Sequence, residues 1–227
     1  MKGYLLLEGG AEFGGRMAEP DRRAIELAGG LLAPLRIIPT AAAPDNNHLR
    51  AGQNGLRWFR SLGAQDVQVI PLIDKISAGQ PEITSVLEQA RLIYLLGGFP
   101  GYLADTLAGT PAWQAINSAY QSGAVIAGSS AGAMVLCEHF FDPYAGKLRP
   151  GLGLLPKSIV LPHYNSSGGG WIARLGDRPA GLTLYGIDER TGMINDARDG
   201  LWRVYGQGKV TVHHDGRQQV FSAGQVF

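Results

Sequence analysis

Ser130 lies at the centre of the segment 128–132, which reads GSSAG and has the G-x-S-x-G spacing of a nucleophilic serine. An apolar run at residues 124–127 precedes it, and the helix-forming residues 133–136 follow it. This order predicts a strand, a sharp turn (called the elbow below) and a helix, with the serine hydroxyl above the sheet. The next N–H would lie at a helix N terminus, whose partial positive charge stabilises an oxyanion. The pattern predicts a serine nucleophile, and the structural alternative is a small-residue turn that only packs a helix against a strand.

A serine nucleophile needs a general base, and His163 is the histidine best placed to be one. It follows the apolar run 159–161 and Pro162, which places it at the end of a predicted strand. The remaining histidines are expected on a helical surface, beyond the elbow helix or beside a hairpin turn, and they are His48, His139, His213 and His214. We therefore predict that His163 activates the serine.

The carboxylate that would orient this histidine is left open by the residues alone. Glu138 and Asp142 lie just beyond the predicted elbow helix, whereas Asp188 and Glu189 follow another predicted strand. Carboxylates in loops are most often simply solvated, so their spacing does not choose among them.

Metal and nucleotide chemistry are not indicated. No grouping of Cys, His and Asp has zinc-site spacing, and the chain has no P-loop. The glycine-rich loop at residues 9–15 lacks the G-x-G-x-x-G fingerprint, which argues against dinucleotide binding. Cys137 is expected to be a small buried hydrophobe rather than a nucleophile. We expect no metal and no cofactor.

The composition is that of an ordinary globular protein of 227 residues, with 45% hydrophobic residues and a net charge of +1. Basic residues are scattered, without the basic and aromatic clustering that a nucleic-acid groove needs. No apolar stretch has the length of a membrane span, and the N-terminal apolar run is too short for a signal peptide. A single cysteine excludes an intrachain disulfide. We expect a cytoplasmic protein without nucleic-acid or membrane partners.

Strand and helix patterns alternate through the first half of the chain. Apolar strand-like runs occupy residues 4–7, 35–38, 67–72, 92–96 and 124–127, and helical patterns occupy residues 21–28, 47–62, 83–90, 102–107 and 112–121. This alternation predicts βαβ units and a parallel sheet covered on both faces. Gly97-Gly98 and Ser129-Ser130 follow two of these strands, at the sheet edge where open α/β folds bind ligands.

The pattern changes after Leu155. Short strand-like runs are separated by turn signals and occupy residues 159–161, 182–187, 201–205 and 210–212. We expect them to add antiparallel strands to one edge of the sheet, and residues 1–227 to form a single α/β domain.

Five segments, taken in order, resemble the serine peptidases typified by dipeptidase E and cyanophycinase. They read LLLEGGAE, LIYLLGGFPGYLADTL, AVIAGSSAGAMVL, GLGLLPKSIVLPHY and YGIDERTGMI, and the first and last match the cyanophycinase branch. The resemblance covers nearly the whole chain. It implies a flavodoxin-like three-layer sandwich, related to class I glutamine amidotransferases, with a mostly parallel sheet.

The resemblance also implies roles for individual residues. The family's nucleophile corresponds to Ser130 and its catalytic histidine to His163. The N–H groups of Gly98 and Ala131 correspond to its oxyanion donors.

The same resemblance implies roles for three carboxylates. The third member of the dipeptidase E triad corresponds most closely to Asp142, with Glu138 as the second choice. The family's Gly-Ile-Asp-Glu stretch matches residues 186–189, which makes Glu189 a candidate for shaping the substrate site.

Two departures from the family concern the substrate pocket. Cyanophycinases carry a run of arginines soon after the histidine, read as contacts to their aspartate–arginine substrate, whereas residues 165–170 here read NSSGGG. The polar residue that usually follows the double glycine is replaced by Phe99-Pro100-Gly101. Phe99 and Asn165 are therefore candidate substrate-binding residues of a changed pocket, and cyanophycin is not the expected substrate.

We expect a serine peptidase that hydrolyses a small peptide or amide through a Ser130–His163–Asp142 triad and an acyl-enzyme. An esterase, another acyl hydrolase or an acyl transferase on the same triad is one alternative. A non-catalytic protein that binds small molecules on the same fold is another. A homodimer through the exposed edge of the C-terminal hairpins is a further hypothesis, which no motif specifies.

Overall fold

The computed structural model of the protein describes residues 2–175, 179 and 181–227. The strands in this part of the chain are β1 (Leu5–Glu8), β2 (Leu35–Ile38), β3 (Val67–Val69), β4 (Leu92–Leu95), β5 (Val125–Ser129), β6 (His139–Asp142), β7 (Lys147–Pro150), β8 (Ser158–Leu161), β9 (Thr183–Ile187), β10 (Thr191–Ile194), β11 (Arg203–Gly206), β12 (Lys209–His214) and β13 (Arg217–Ser222). The α-helices are α1 (Ala18–Leu27), α2 (His48–Ser61), α3 (Pro81–Glu88), α4 (Pro100–Leu107), α5 (Pro111–Gln121) and α6 (Ala131–Leu136). Among the described residues, no helix is both long and apolar enough to span a membrane.

The main sheet has seven strands in the order β11-β10-β1-β5-β4-β2-β3. The strands from β1 through to β3 in this order are parallel. β10 and β11 continue the β1 edge with antiparallel pairing. β1, β2, β4 and β5 are buried along their whole length, as expected where helices cover both faces of a parallel sheet. The predicted α/β class, with a mostly parallel sheet and added antiparallel strands, is confirmed.

Apolar cores lie on both faces of the main sheet and give the fold its three layers. Because successive strand residues point to opposite faces, Leu6 packs in the core that holds residues of α1 and α2. Leu5 and Leu7 pack in the other core, which holds residues of α3, α4, α5 and α6.

The C-terminal strands are arranged differently from the expectation that all of them join one edge. β10 and β11 do so, but a second sheet has the order β13-β12-β9-β8, in which β8 and β9 are parallel. β6 and β7 form a separate antiparallel hairpin that the sequence patterns did not predict. Alternating hydrophobicity predicts that a segment is a strand, but the partner of that strand depends on distant chain segments.

Two of the element boundaries that differ from the predicted ones lie close to prolines. β3 ends at Val69 rather than at residue 72, before Pro71, which has no N–H to donate to a ladder. α1 begins at Ala18 rather than at residue 21, and Pro20 is compatible with this start because an N–H in the first helical turn has no acceptor within the helix.

The carboxyl ends of β4 and β5 lie side by side, with Leu95 paired to Gly128. This pairing brings Gly97-Gly98 next to Ser129-Ser130. Gly132 in α6 permits the close approach of helix and sheet, since a Cβ at this position would lie 2.2 Å from the Leu95 carbonyl oxygen. The edge of the main sheet therefore places both loops beside the first turn of α6.

Candidate active site

Ser130 forms the turn between β5 and α6 and has a strained backbone. Its φ and ψ angles are 48° and −112°, a conformation that residues other than glycine rarely adopt and that costs about 1–3 kcal/mol. Its N–H donates to the carbonyl oxygen of Glu8 at 3.0 Å. This bond ties the elbow to β1, so the packed sheet holds the serine hydroxyl at its carboxyl edge.

His163 follows β8 and reaches the same edge. Its N–H donates to the carbonyl oxygen of Gly9 at 2.7 Å, which fixes the loop against the residue that follows β1. Its Nε2 atom lies 3.0 Å from Ser130 Oγ. This distance suits transfer of the serine proton to the imidazole.

Glu189, which comes two residues after β9, lies on the other side of the imidazole ring. Its Oε1 is 3.0 Å from His163 Nδ1. A carboxylate in this position accepts a hydrogen bond from Nδ1–H, which leaves Nε2 unprotonated and able to accept the proton of Ser130. Ser130, His163 and Glu189 thus form a continuous hydrogen-bonded chain.

Neighbouring side chains hold Glu189 in place. Asn165 Oδ1 accepts the N–H of Glu189 at 3.0 Å. Ser166 Oγ lies 3.4 Å from Glu189 Oε1 and donates to it. Asn165, expected to bind substrate, therefore contacts the backbone of the residue whose carboxylate lies against His163.

The structure corrects the expectation that Asp142 orients His163. Asp142 lies in β6, is 3% exposed, and accepts from Arg149 Nη1 at 3.0 Å and from the Tyr144 N–H at 3.0 Å. The second choice, Glu138, accepts the N–H of Lys157 at 2.8 Å. Both carboxylates therefore bind groups in or near the β6–β7 hairpin. Glu189, which was expected to shape the substrate site, is the residue whose carboxylate contacts His163.

Gly98 and Ala131, the residues predicted to be oxyanion donors, both lie near Ser130. Ala131 is the first residue of α6, so its N–H has no acceptor within the helix. Gly98 has a φ of 139°, and a Cβ there would lie 2.2 Å from the carbonyl oxygen of Ala41. Only glycine fits this conformation and this spacing, and Gly98 lines the same cavity as Ser130.

Gly98→Ala is expected to lower kcat by about 10²- to 10³-fold, the usual effect of removing one oxyanion donor. The added Cβ forces the backbone away from Ala41 and turns the Gly98 N–H out of the site. Steady-state kinetics would measure the loss. The matched control is Gly109→Ala, which also has a positive φ, of 71°, but has no heavy atom within 4 Å of a Cβ. An unchanged kcat for Gly98→Ala would exclude Gly98 as a donor.

The cavity that contains Ser130 and His163 has a volume of about 470 Å³. Tyr144 and Trp171 line it. Phe99, expected to contact substrate, stacks on Tyr144 with ring centroids 4.5 Å apart. Phe99 therefore supports an aromatic side chain of the cavity wall.

A pair of buried carboxyl groups lies beneath the elbow, and sequence reasoning did not identify it. Glu8 and Asp21 are both fully buried. Tyr94 Oη donates to Glu8 Oε2, and Trp58 Nε1 donates to Asp21 Oδ2 at 2.7 Å. Burial raises the pKa of Glu8 well above its ordinary value and raises the pKa of Asp21 to about 7. The only sequence signal was an acidic residue directly after the apolar run of β1.

The remaining candidates lie away from this chain of contacts. Cys137 is buried, and burial raises the pKa of its thiol to about 12. Tyr164 Oη lies 2.9 Å from His213 Nε2, and Thr183 Oγ1 lies 2.9 Å from His214 Nδ1. In the part of the chain that the structure describes, no group of three His, Cys, Asp or Glu side chains could hold a metal ion.

The site has a serine on a strained strand–helix turn, with a histidine and a carboxylate in contact with it in series at the edge of a parallel sheet. This arrangement defines a serine hydrolase of the α/β class. The sequence model of peptidase family S51 matches residues 5–194. The chain therefore belongs to peptidase family S51, which confirms the resemblance found in its motifs and makes the protein a peptidase.

Individual relatives agree with this assignment. The chain is 30% identical to the cyanophycinase of Trichormus variabilis over 223 residues, 93% of this chain and 73% of the relative. It is 30% identical to the cyanophycinase of Geminocystis herdmanii over 228 residues, 93% of this chain and 82% of the relative.

Solved structures show the same fold. The crystal structure of a peptidase from an acI-B1 Actinobacterium superposes with a TM-score of 0.87 at 33% identity, covering 100% of this chain and 97% of that one. A structure from Listeria monocytogenes EGD-e, described as a peptidase E protein, superposes with a TM-score of 0.64 at 19% identity, covering 94% of this chain and 99% of that one.

Proposed function

We propose that the protein cleaves short peptides or related amides with Ser130 as nucleophile, His163 as general base and Glu189 as the orienting carboxylate. The observation that carries this proposal is the pair of 3.0 Å contacts, from Ser130 Oγ to His163 Nε2 and from His163 Nδ1 to Glu189 Oε1. The contacts follow the order nucleophile, base and carboxylate that acyl transfer from a peptide requires.

In the first half of the reaction, Ser130 Oγ attacks the scissile carbonyl carbon while His163 Nε2 takes the serine proton. Glu189 stabilises the resulting imidazolium. The N–H groups of Gly98 and Ala131 donate to the oxyanion, at roughly 3 kcal/mol per donor. The C–N bond then breaks, and Nε2 gives its proton to the departing amine.

In the second half, His163 takes a proton from water, and the hydroxide attacks the acyl ester on Ser130. The Ser130–acyl bond breaks, the proton returns to Ser130 Oγ, and the carboxylic acid product leaves. Each proton moves through Nε2, so the Nδ1 contact with Glu189 is maintained throughout the cycle.

The size of the site and the loop after His163 support a short substrate other than the one named in its relatives. A cavity of about 470 Å³ matches small-ligand pockets. The relatives are named cyanophycinases, but residues 165–170 carry no arginine for an aspartate–arginine substrate. We therefore propose short peptides and expect no turnover of intact folded proteins.

The test is hydrolysis of a mixed dipeptide library, cyanophycin and an intact protein, together with labelling by a fluorophosphonate probe. We expect dipeptide cleavage and labelling at Ser130, both lost in Ser130→Ala. Ser129→Ala is the matched control, because it removes the neighbouring hydroxyl, which donates to Glu12 instead of the histidine.

Three outcomes would count against the proposal. Cleavage that persists in Ser130→Ala would exclude Ser130 as the nucleophile. Turnover of cyanophycin in preference to every dipeptide would assign the substrate of the relatives to this chain. Labelling without any peptide cleavage would favour an esterase or acyl transferase on the same residues.

A further inference from the structure

Two cavities meet at Gly98, and their linings differ in charge. Gly98 lines both the cavity that contains Ser130 and His163 and a larger one of about 860 Å³ against α2. The larger cavity is lined by charged side chains that include Glu12, Asp45, Arg50 and Arg57.

The cavity that contains the catalytic residues has an apolar wall. Its remaining side chains are Pro100, Met134, Pro143, Tyr144, Ser167 and Trp171. Among the described residues that line it, none is Asp, Glu, Lys or Arg. Such a wall gives a charged group no partner to replace its lost hydration, so it favours apolar groups.

The path of the proton decides which half of the substrate lies against this wall. Nε2 of His163 must return its proton to the nitrogen of the departing amine, so that nitrogen lies within hydrogen-bond reach of Nε2. Of these two cavities, the apolar one is lined by both Ser130 and His163, and the charged one by neither. A departing half within reach of Nε2 would extend along the apolar wall, which leaves the charged cavity beyond Gly98 for the acyl half.

Tyr144 is available to contact that departing half. It lies in the loop between β6 and β7, and 67% of it is exposed. Stacking on Phe99 orders its ring before any ligand arrives. Trp171, from the 3₁₀ segment 168–174, lines the same cavity from a different element and packs against Phe141.

We propose that the site selects peptides whose departing residue carries an uncharged apolar or aromatic side chain, with Tyr144 and Trp171 as the specificity-determining residues. This inference rests on the proposed peptidase function.

The test uses peptides that share one acyl residue and differ in an amidated departing residue, which is Phe, Leu, Gly, Asp or Lys. We expect kcat/KM for Phe to exceed that for Gly by about tenfold or more, and Asp and Lys to fall below Gly. Tyr144→Ala and Trp171→Ala should each reduce the ratio of kcat/KM for the Phe peptide to kcat/KM for the Gly peptide. Tyr102→Ala, an exposed tyrosine of α4 outside the cavity, should leave the ratio unchanged.

Three results would overturn the inference while leaving the peptidase function intact. They are equal kcat/KM for the Phe and Gly peptides, a preference for the Asp or Lys peptide, and an unchanged Phe-to-Gly ratio in both Tyr144→Ala and Trp171→Ala. If no peptide is cleaved, protection of Ser130 from the fluorophosphonate still tests the cavity. Protection by phenylalaninamide but not by lysinamide would support the inference although the proposed function had failed. Equal protection by the two amides would overturn it.

Discussion

Glu189→Gln lowers kcat by ~10⁴-fold if Glu189 orients His163, the size of the effect when a triad carboxylate becomes an amide. The glutamine NH₂ group can donate to Nδ1, which places the histidine proton on Nε2. In that tautomer Nε2 cannot take the proton of Ser130. Steady-state kinetics on the preferred dipeptide would measure the loss, and the melting temperature should change little because Glu189 lies on a partly exposed loop.

Asp142→Asn is the matched control, because the family resemblance assigned this role to Asp142. We expect its kcat to stay close to that of the wild type and its melting temperature to fall. Asp142 is paired with Arg149 in a buried position, and weakening a buried pair destabilises the fold. The assignment of Glu189 would be wrong if Asp142→Asn lost activity to the same extent and Glu189→Gln did not.

Asp21→Asn is expected to become progressively more stable than the wild type as the pH rises from about 4 to about 7. The pKa of Asp21 is raised from its ordinary value of 3.8 to about 7 by burial, with Trp58 and Glu8 as its hydrogen-bonding neighbours and Glu12 as a nearby negative charge. The folded protein therefore keeps a proton that the unfolded chain has released. The stability contributed by this proton is fully present below the pKa of Asp21 in the unfolded chain. It is lost as the pH rises through the pKa of Asp21 in the folded protein.

The difference in the free energy of unfolding should reach several kcal/mol, at about 1.4 kcal/mol per pKa unit. Urea unfolding of both proteins at a series of pH values would measure it. For Asp66→Asn we expect a stability difference of the opposite sign, because the Arg36 side chain lowers the pKa of Asp66. That variant should be less stable than the wild type at neutral pH, with the difference disappearing on acidification. A constant difference for Asp21→Asn across this range would show that the carboxyl does not titrate there.

The sequence by itself determined the parts of the site that depend on neighbouring residues. A buried apolar run, small residues and a helix-forming segment are consecutive in the chain, so they identified Ser130 and its turn. The same local logic placed His163 at the end of β8. Buried parallel strands have strong apolar runs, which is why the α/β class and the positions of β1, β2, β4 and β5 followed from the sequence.

Only the tertiary structure decided which carboxylate meets the histidine. In the sequence, Asp142 lies just beyond the predicted elbow helix and Glu189 follows a predicted strand. The residues alone did not choose between them, and the family resemblance pointed to Asp142. β6 pairs with β7 and turns Asp142 toward Arg149, whereas the parallel pairing of β8 and β9 brings Glu189 beside His163. Strand pairing and the burial of Glu8 against Asp21 depend on contacts between segments far apart in the chain. Local sequence patterns do not encode these contacts, because each is selected by the packing of the whole fold.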